Sequence, residues 1–158
     1  MQIEEQLANM GLQLPPPIKA PAGVKLPFSF VRVYAGQAYI SGHGPQNEDG
    51  SLAGPFGKVG VDLSVEEGYE AAKLVGLSML GSLKRELGEL DRISAWLHVH
   101  GMVNCAPDFA QQPAVINGFS DLILALYAER GAHARSAVGM AALPFNLAVE
   151  IEAIVAIN

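Results

Sequence analysis

Two residues near the end of the chain have the types a small-acid site needs. Arg135 opens a short apolar stretch, Ala134-Arg135-Ser136-Ala137-Val138-Gly139, and Glu150 interrupts an aliphatic one, Ala148-Val149-Glu150-Ile151-Glu152-Ala153-Ile154. A guanidinium is always charged and presents a fork of donors that can grip a carboxylate through two parallel hydrogen bonds. A carboxylate among aliphatic neighbours can orient a water and carry its proton, and burial would raise its pKa toward a useful range. Strand alternation places Glu150 and Glu152 on one face and Val149, Ile151 and Ala153 on the other. Taken alone, the same residues also fit an arginine paired with a surface acid and two acids on a wet strand face.

Other reactive types are less suggestive. His98 and His100 form an HxH pair without an evident third ligand, since His43 and His133 lie in other segments. They read as core or interface histidines, and no metal is expected. Cys105 has no base near it in sequence and reads as a buried, inert thiol. The glycines of Ser41-Gly42-His43-Gly44 follow neither a P-loop nor a dinucleotide spacing, though they could offer backbone N–H groups to a ligand.

The elements that must position these groups follow from pattern. Ile3 to Leu12 reads as a short amphipathic helix with Ile3, Leu7 and Met10 on one face, and Pro15-Pro16-Pro17 follows. Residues 1–27 form an N-terminal arm rather than a second domain. Phe28–Val33 and Ala38–Ser41 read as a hairpin around Ala35-Gly36-Gln37, and Asn47–Gly60 as a long surface loop. Ser64-Val65-Glu66-Glu67 is a capping box opening a helix to about Leu87, with Tyr69, Ala72, Gly76, Met79, Leu80, Leu83 and Leu87 inward. Ile93–Val103 is a long strand whose Ile93, Ala95, Leu97, Val99 and Val103 alternate with Ser94, Trp96, His98, His100 and Met102. A helix over Gln112–Ala128, with Val115, Leu122 and Leu126 inward, precedes strands at Arg135–Met140 and Leu147–Ile157. The order predicts an α+β fold: a single mixed β-sheet with two helices packed on one face, in one domain spanning 1–158. The other sheet face is too apolar to stay exposed and is expected to pack against copies of the chain.

Composition agrees. Half of the 158 residues are hydrophobic and only 16% are charged, which favours an oligomer. Net charge is −6 with no cluster of Lys or Arg, so neither nucleic acid nor an anionic membrane surface is an expected partner. The single cysteine forbids an internal disulfide, and the acidic N-terminus does not read as a signal peptide. With no apolar run long enough to span a bilayer, a cytoplasmic protein is expected.

Ser41-Gly42-His43-Gly44-Pro45, Asn117, Ala134-Arg135-Ser136 and Val149-Glu150-Ile151-Glu152-Ala153-Ile154, in that order and spacing, resemble the RidA (YjgF) family, whose members have also been named endoribonuclease L-PSP. The resemblance covers about Phe28 to the C-terminus. The arm, Gly57-Lys58-Val59-Gly60 and Asn117-Gly118-Phe119-Ser120-Asp121-Leu122 resemble a longer branch of that family. It implies a chorismate-mutase-like fold, a homotrimer, and a cleft at each subunit boundary. The implied activity is deaminase chemistry, hydrolysis of reactive 2-imino or enamine acids to 2-oxo acids and ammonia, without metal or organic cofactor. The family's carboxylate-binding arginine falls on Arg135, its water-positioning glutamate on Glu150, its site asparagine on Asn117, and its pocket serine-glycine pair on Ser41 and Gly42. Ala137 stands where the family's pocket thiol is usual, His43 where a glutamine is, and Phe28 or Phe30 where a tyrosine lines the pocket. These departures put the substrate's fit, more than the water chemistry, at issue. Two other functions remain alongside: a non-catalytic module that binds a small carboxylate metabolite, and RNA cleavage, which only the older family name suggests.

Overall fold

The structure is a computed structural model that describes residues 2–19 and 22–158. The chain begins with helix α1 (Gln2–Asn9), then strands β1 (Val31–Tyr34) and β2 (Gln37–His43), helix α2 (Val65–Leu87), strand β3 (Ile93–Asn104), helix α3 (Gln112–Tyr127), and strands β4 (Ala134–Met140) and β5 (Val149–Ile157). The five strands form one sheet in the order β1-β2-β5-β3-β4. Only β3 and β4 run parallel, because α3 carries the chain back between them; every other pair is antiparallel. The α+β reading with one mixed sheet therefore holds.

Helix α2 starts where the sequence signals it. Ser64 Oγ accepts from the Glu67 N–H, and Glu67 Oε1 accepts from the Ser64 N–H, each at 3.1 Å. Gly88, with φ of 85°, ends the helix and donates its N–H to the Lys84 carbonyl. The inward face carries Ala72, Val75, Met79, Leu80 and Leu83, all fully buried; Tyr69 is only half-buried and instead donates to Asp121 Oδ2 at 2.7 Å. Helix α3 crosses close by. A Cβ on Gly118 would collide with the Tyr69 carbonyl, so glycine sets how near the two helix backbones come.

The long strand departs from simple alternation. Ile93 pairs with Ile157 but Ala95 with Ala156, and Trp96 pairs with Val155 but His98 with Ile154, so β3 carries an extra residue twice. Each bulge flips the faces that follow. Trp96 therefore points into the core, edge-on to Phe119 and Tyr127 at 5.8 Å each, while Leu97 is exposed. Beyond the bulges the expected alternation resumes: Val99 and Val103 are buried under the helices, and His98, His100 and Met102 take the other face.

The first hairpin is shifted from its expected bounds. Phe28 and Phe30 lie before β1, which starts at Val31, and β2 runs through Gly42 to His43 rather than stopping at Ser41. Ile40 pairs with Ala153 and His43 with Ile151, so Ser41 and Gly42 together oppose Glu152 in a further bulge. The segment over 47–60 is tied down by bridges Gln46 to Leu52 and Val59 to Cys105, and Val59 is wholly buried.

The N-terminal arm is docked. Ile3 and Leu7 enter the core, whereas Met10 lies beyond the end of α1 and is exposed. Glu4 accepts from Lys84 Nζ at 2.9 Å and from the Leu90 N–H at 3.1 Å. Burial alone would raise this carboxyl, but those donors outweigh it and hold it at about 2. No helix among the described residues is long and apolar enough to cross a membrane.

Candidate active site

The candidate residues fall into two groups on opposite faces of the sheet. On the open face, β5 presents Glu150 and Glu152, paired with Met102 and His100 of β3. Glu150 is half-buried and its carboxylate lies over Gly42, where an added Cβ would stand 2.5 Å from Oε2. The bulge at Ser41-Gly42 thus leaves a notch that the carboxylate fills. Burial first, and then the Glu152 charge, push the Glu150 carboxyl above the usual carboxylate range. No hydrogen-bond donor or cation partners Glu150 among the described residues. Ser41 of β2 is partly buried, and its hydroxyl donates to the Ser29 carbonyl at 2.7 Å.

On the helix side, Arg135 of β4 lies along α3. Its Nη1 donates to Asn117 Oδ1 at 2.9 Å and to Ser120 Oγ at 3.1 Å. Asn117 and Ser120 are three apart on α3 and so share a face. Arg135 is half-buried, and no acid partners it among the described residues. Ala137 is the next residue on that face, paired with Gly101 of β3. Sequence reasoning assigned no role to Ser120, nor to His133, whose Nε2 lies 2.8 Å from Ser120 Oγ. Both signals were present as offsets: Ser120 three residues beyond Asn117, and His133 two before Arg135.

Arg135 and Glu150 therefore do not meet within one protomer. Among the described residues, the ring contacts of the two phenylalanines involve neither Arg135 nor Glu150. Phe28 is exposed and packs edge-on to Phe30 at 5.6 Å; Phe30 lies tilted against the His43 ring at 5.5 Å. That places Phe30 in a cavity of about 450 Å³ between β1 and α2, also lined by Arg32, Gln46, Ser82 and Arg85. His98 is exposed and His100 partly buried on the open face, and no group of three or more His, Cys, Asp or Glu able to hold a metal occurs among the described residues. Cys105 is buried and free, near Gly139 of β4.

Residues 4–155 match the family described as YjgF/chorismate mutase-like, putative endoribonuclease. The chain belongs to the YjgF family. A Trypanosoma cruzi protein, Protein TCP17, is 38% identical over 99% of this chain and 95% of its own. A putative endoribonuclease from Shewanella oneidensis superposes with a TM-score of 0.88 at 29% identity, covering 99% of this chain and 100% of that one. RidA from an Antarctic Psychrobacter superposes with a TM-score of 0.58 at 25% identity, covering 92% and 99%. The first two matches each cover 99% of this chain and so reach into the N-terminal arm. The family match spans residues 4–155, so it extends beyond the stretch from Phe28 onward that the sequence resemblance covers.

Proposed function

We propose that the protein is a homotrimeric hydrolase of reactive 2-imino and enamine acids, releasing a 2-oxo acid and ammonia at clefts between subunits. The observation that carries this reading is a half-buried carboxylate, Glu150, with neither a donor nor a cation beside it among the described residues, on a chain that also holds an arginine with no acid partner among them. Natural folds rarely leave a partly desolvated carboxylate unpaired unless it has a task. The two lie on opposite sheet faces, so a site using both needs the open face of one protomer against the β4–α3 edge of another. Exposed Tyr39, Leu97 and Val138 give that open face the apolar surface an association needs.

In this mechanism Arg135 of one subunit binds the substrate carboxylate and holds the imine carbon near a water beside Glu150 of the next. Glu150 takes a proton as the water adds to the carbon of the protonated imine, forming a carbinolamine. It returns that proton to the amine nitrogen and takes the hydroxyl proton as the C–N bond breaks, so that ammonia leaves as the C=O forms. The imine carbon is already electrophilic, so positioning and one proton carrier suffice. No metal or organic cofactor enters the scheme, and a small carboxylate metabolite is the partner.

The test is ammonia release from 2-iminopropanoate generated in place by an amino-acid oxidase. Acceleration by the purified protein is expected; an unchanged rate overturns the reading for that substrate. A shared site makes a further demand. Arg135→Ala and Glu150→Gln chains, each inactive alone, should recover about a quarter of wild-type activity when co-refolded as random trimers. Failure to recover would place both groups in one subunit's chemistry or in none.

Ala137 and the missing tyrosine hydroxyl favour a second reading, a module that binds a carboxylate without turning it over. Calorimetry with pyruvate beside the turnover assay separates the two. RNA cleavage has little support from a chain of net charge −6.

A further inference from the structure

His133 stands two residues before Arg135, and its ring is held at both nitrogens. Nδ1 lies 2.7 Å from the Gly131 carbonyl oxygen, which can only accept, so Nδ1 carries the proton. Nε2 is then a bare lone pair, 2.8 Å from Ser120 Oγ, and the serine proton must point at it. With its one proton spent, Ser120 Oγ can only accept from Arg135 Nη1, at 3.1 Å. The direction of every bond follows from one carbonyl: Arg135 donates to Ser120, Ser120 to His133, and His133 to Gly131. Asn117 Oδ1 accepts from the same Nη1 at 2.9 Å.

We propose that Ser120 and His133 are positioning residues for the Arg135 carboxylate clamp, acting as a relay that works only while His133 is neutral. The proposal rests on the reading of Arg135 as that clamp. A long arginine side chain has many rotamers, and a substrate that must first order it binds weakly. Anchoring Nη1 at two acceptors fixes the guanidinium plane before substrate arrives and leaves its other donors for a carboxylate. Neither anchor is an acid, so the positive charge is kept for the ligand rather than neutralised.

The neutral state has physical support. Burial holds the His133 imidazole below its usual range; the Gly131 carbonyl pulls the other way, and Arg135 and His98 then add to the lowering. Those two are the charged or titratable groups that act on the ring, and Phe119 packs edge-on at 6.3 Å. Protonation at Nε2 turns the ring from acceptor to donor there. Ser120 must then rotate its own proton away and face two donors, with an imidazolium set beside the guanidinium. The anchor loosens as pH falls, and carboxylate affinity falls with it.

The experiment measures pyruvate affinity by calorimetry from acid to mildly alkaline pH on the intact oligomer, for wild type and for Ser120→Ala, His133→Ala and His133→Gln. At mildly alkaline pH, Ser120→Ala and His133→Ala are expected to weaken binding about tenfold, the usual cost of losing a hydrogen bond to a charged group. His133→Gln supplies an amide oxygen that cannot titrate. It should restore most of the affinity and flatten the acid-side loss seen in wild type, which a merely structural histidine would not do. Nitrogen-15 NMR should show the His133 Nε2 unprotonated at mildly alkaline pH. The relay is overturned if Ser120→Ala and His133→Ala bind as wild type, if His133→Ala keeps the wild-type pH dependence, or if Nε2 carries the proton. Wild type failing to bind pyruvate at any pH removes the clamp itself, a different failure, and the relay's purpose with it.

Discussion

The molecule contains the same three-residue arrangement twice, and the two copies end differently. At the candidate site, His133 donates to a carbonyl two residues back, accepts from Ser120, and Ser120 accepts from Arg135. Between β2 and α2, His43 Nδ1 lies 2.6 Å from the Ser41 carbonyl, its Nε2 2.8 Å from Ser82 Oγ, and Ser82 Oγ 3.2 Å from Arg85 Nη2. The difference lies in the rest of each guanidinium. Arg85 Nη1 donates to the Pro15 carbonyl at 3.1 Å, and Gln46 Nε2 reaches the Pro16 carbonyl at 3.2 Å, so this copy straps the N-terminal arm to α2. Arg135 spends one nitrogen on Asn117 and Ser120, both side chains on one helix, and meets no acid among the described residues. One motif therefore fastens the arm to α2, and the other leaves a cation without an acid among the described residues. A histidine-serine-arginine chain is by itself no sign of a site; what the arginine's remaining donors face decides it.

The sharpest way to break that contrast is to truncate both arginines. Arg135→Ala should lower kcat/KM for imine hydrolysis about a thousandfold, because it removes a charged partner made for the substrate. It should leave the unfolding midpoint nearly unchanged, since no buried acid is orphaned. Arg85→Ala should do the reverse: stability falls by about 2 kcal/mol as two bonds from a charged donor are lost, and trypsin cuts faster at Lys19 in the loosened arm. Turnover lost equally in both variants would erase the distinction between strap and clamp.

Glu150 offers the next largest effect. Glu150→Gln should reduce kcat about a hundredfold or more, the usual contribution of a general base, while pyruvate still binds through Arg135. Because burial and then Glu152 raise this carboxyl, the acid limb of the turnover profile should sit above the ordinary carboxylate range. Glu152→Gln removes the like charge and should move that limb to lower pH. A limb that stays put means Glu150 is not the group being titrated.

Gly42→Ala tests placement more gently. The glycine is not in the left-handed region, so the backbone accepts alanine, but the new Cβ would stand 2.5 Å from Glu150 Oε2 and displace the carboxylate. Turnover should fall about tenfold, in line with a displacement of under an ångström at a reacting group, with pyruvate affinity intact. Lost affinity instead would mean that the Glu150 and Arg135 halves do not act separately.

How much of this was legible in the sequence depended on whether a signal is local. The capping box at Ser64 and Glu67 and the stop at Gly88 bound α2 because each is made within one turn of helix. Glu150's face was readable from β5 alone, where alternation is unbroken. Trp96 and Leu97 were misplaced because the β3 bulges are set by pairing with β5, more than fifty residues away by number, and leave no mark in β3 itself. The first strand was begun too early: Phe28 and Phe30 have strand-forming side chains, but before Val31 the backbone link to β2 is reduced to the Phe30 carbonyl accepting from the Ser41 N–H at 2.9 Å, beside the Ser41-Gly42 bulge. In the site, the types at Arg135, Glu150, Asn117 and Gly42 could be found. The roles of Ser120 and His133 could not, since the offsets acquire meaning only once β4 lies along α3.

The two histidines give the smallest effect and the finest comparison, because they differ mainly in burial. His43 is 5% exposed, and its imidazole is lowered by burial first, then raised by the Ser41 carbonyl and lowered by Arg85. His133 is partly exposed and lowered in the same way. A histidine whose folded pKa is depressed binds fewer protons folded than unfolded. Stability is therefore full above the ordinary imidazole range, is lost as pH falls through it, and levels once the folded value is passed. Glu4 acts in a separate window, losing its contribution only as pH falls from the ordinary carboxylate value toward about 2. Urea midpoints measured from mildly alkaline to mildly acid pH should fall in wild type. His133→Gln should flatten the slope slightly and His43→Gln more, because desolvation is greater where burial is deeper. Equal slopes in the two variants would mean that the strap and the clamp hold their histidines in the same environment, and that only the far ends of their arginines set them apart.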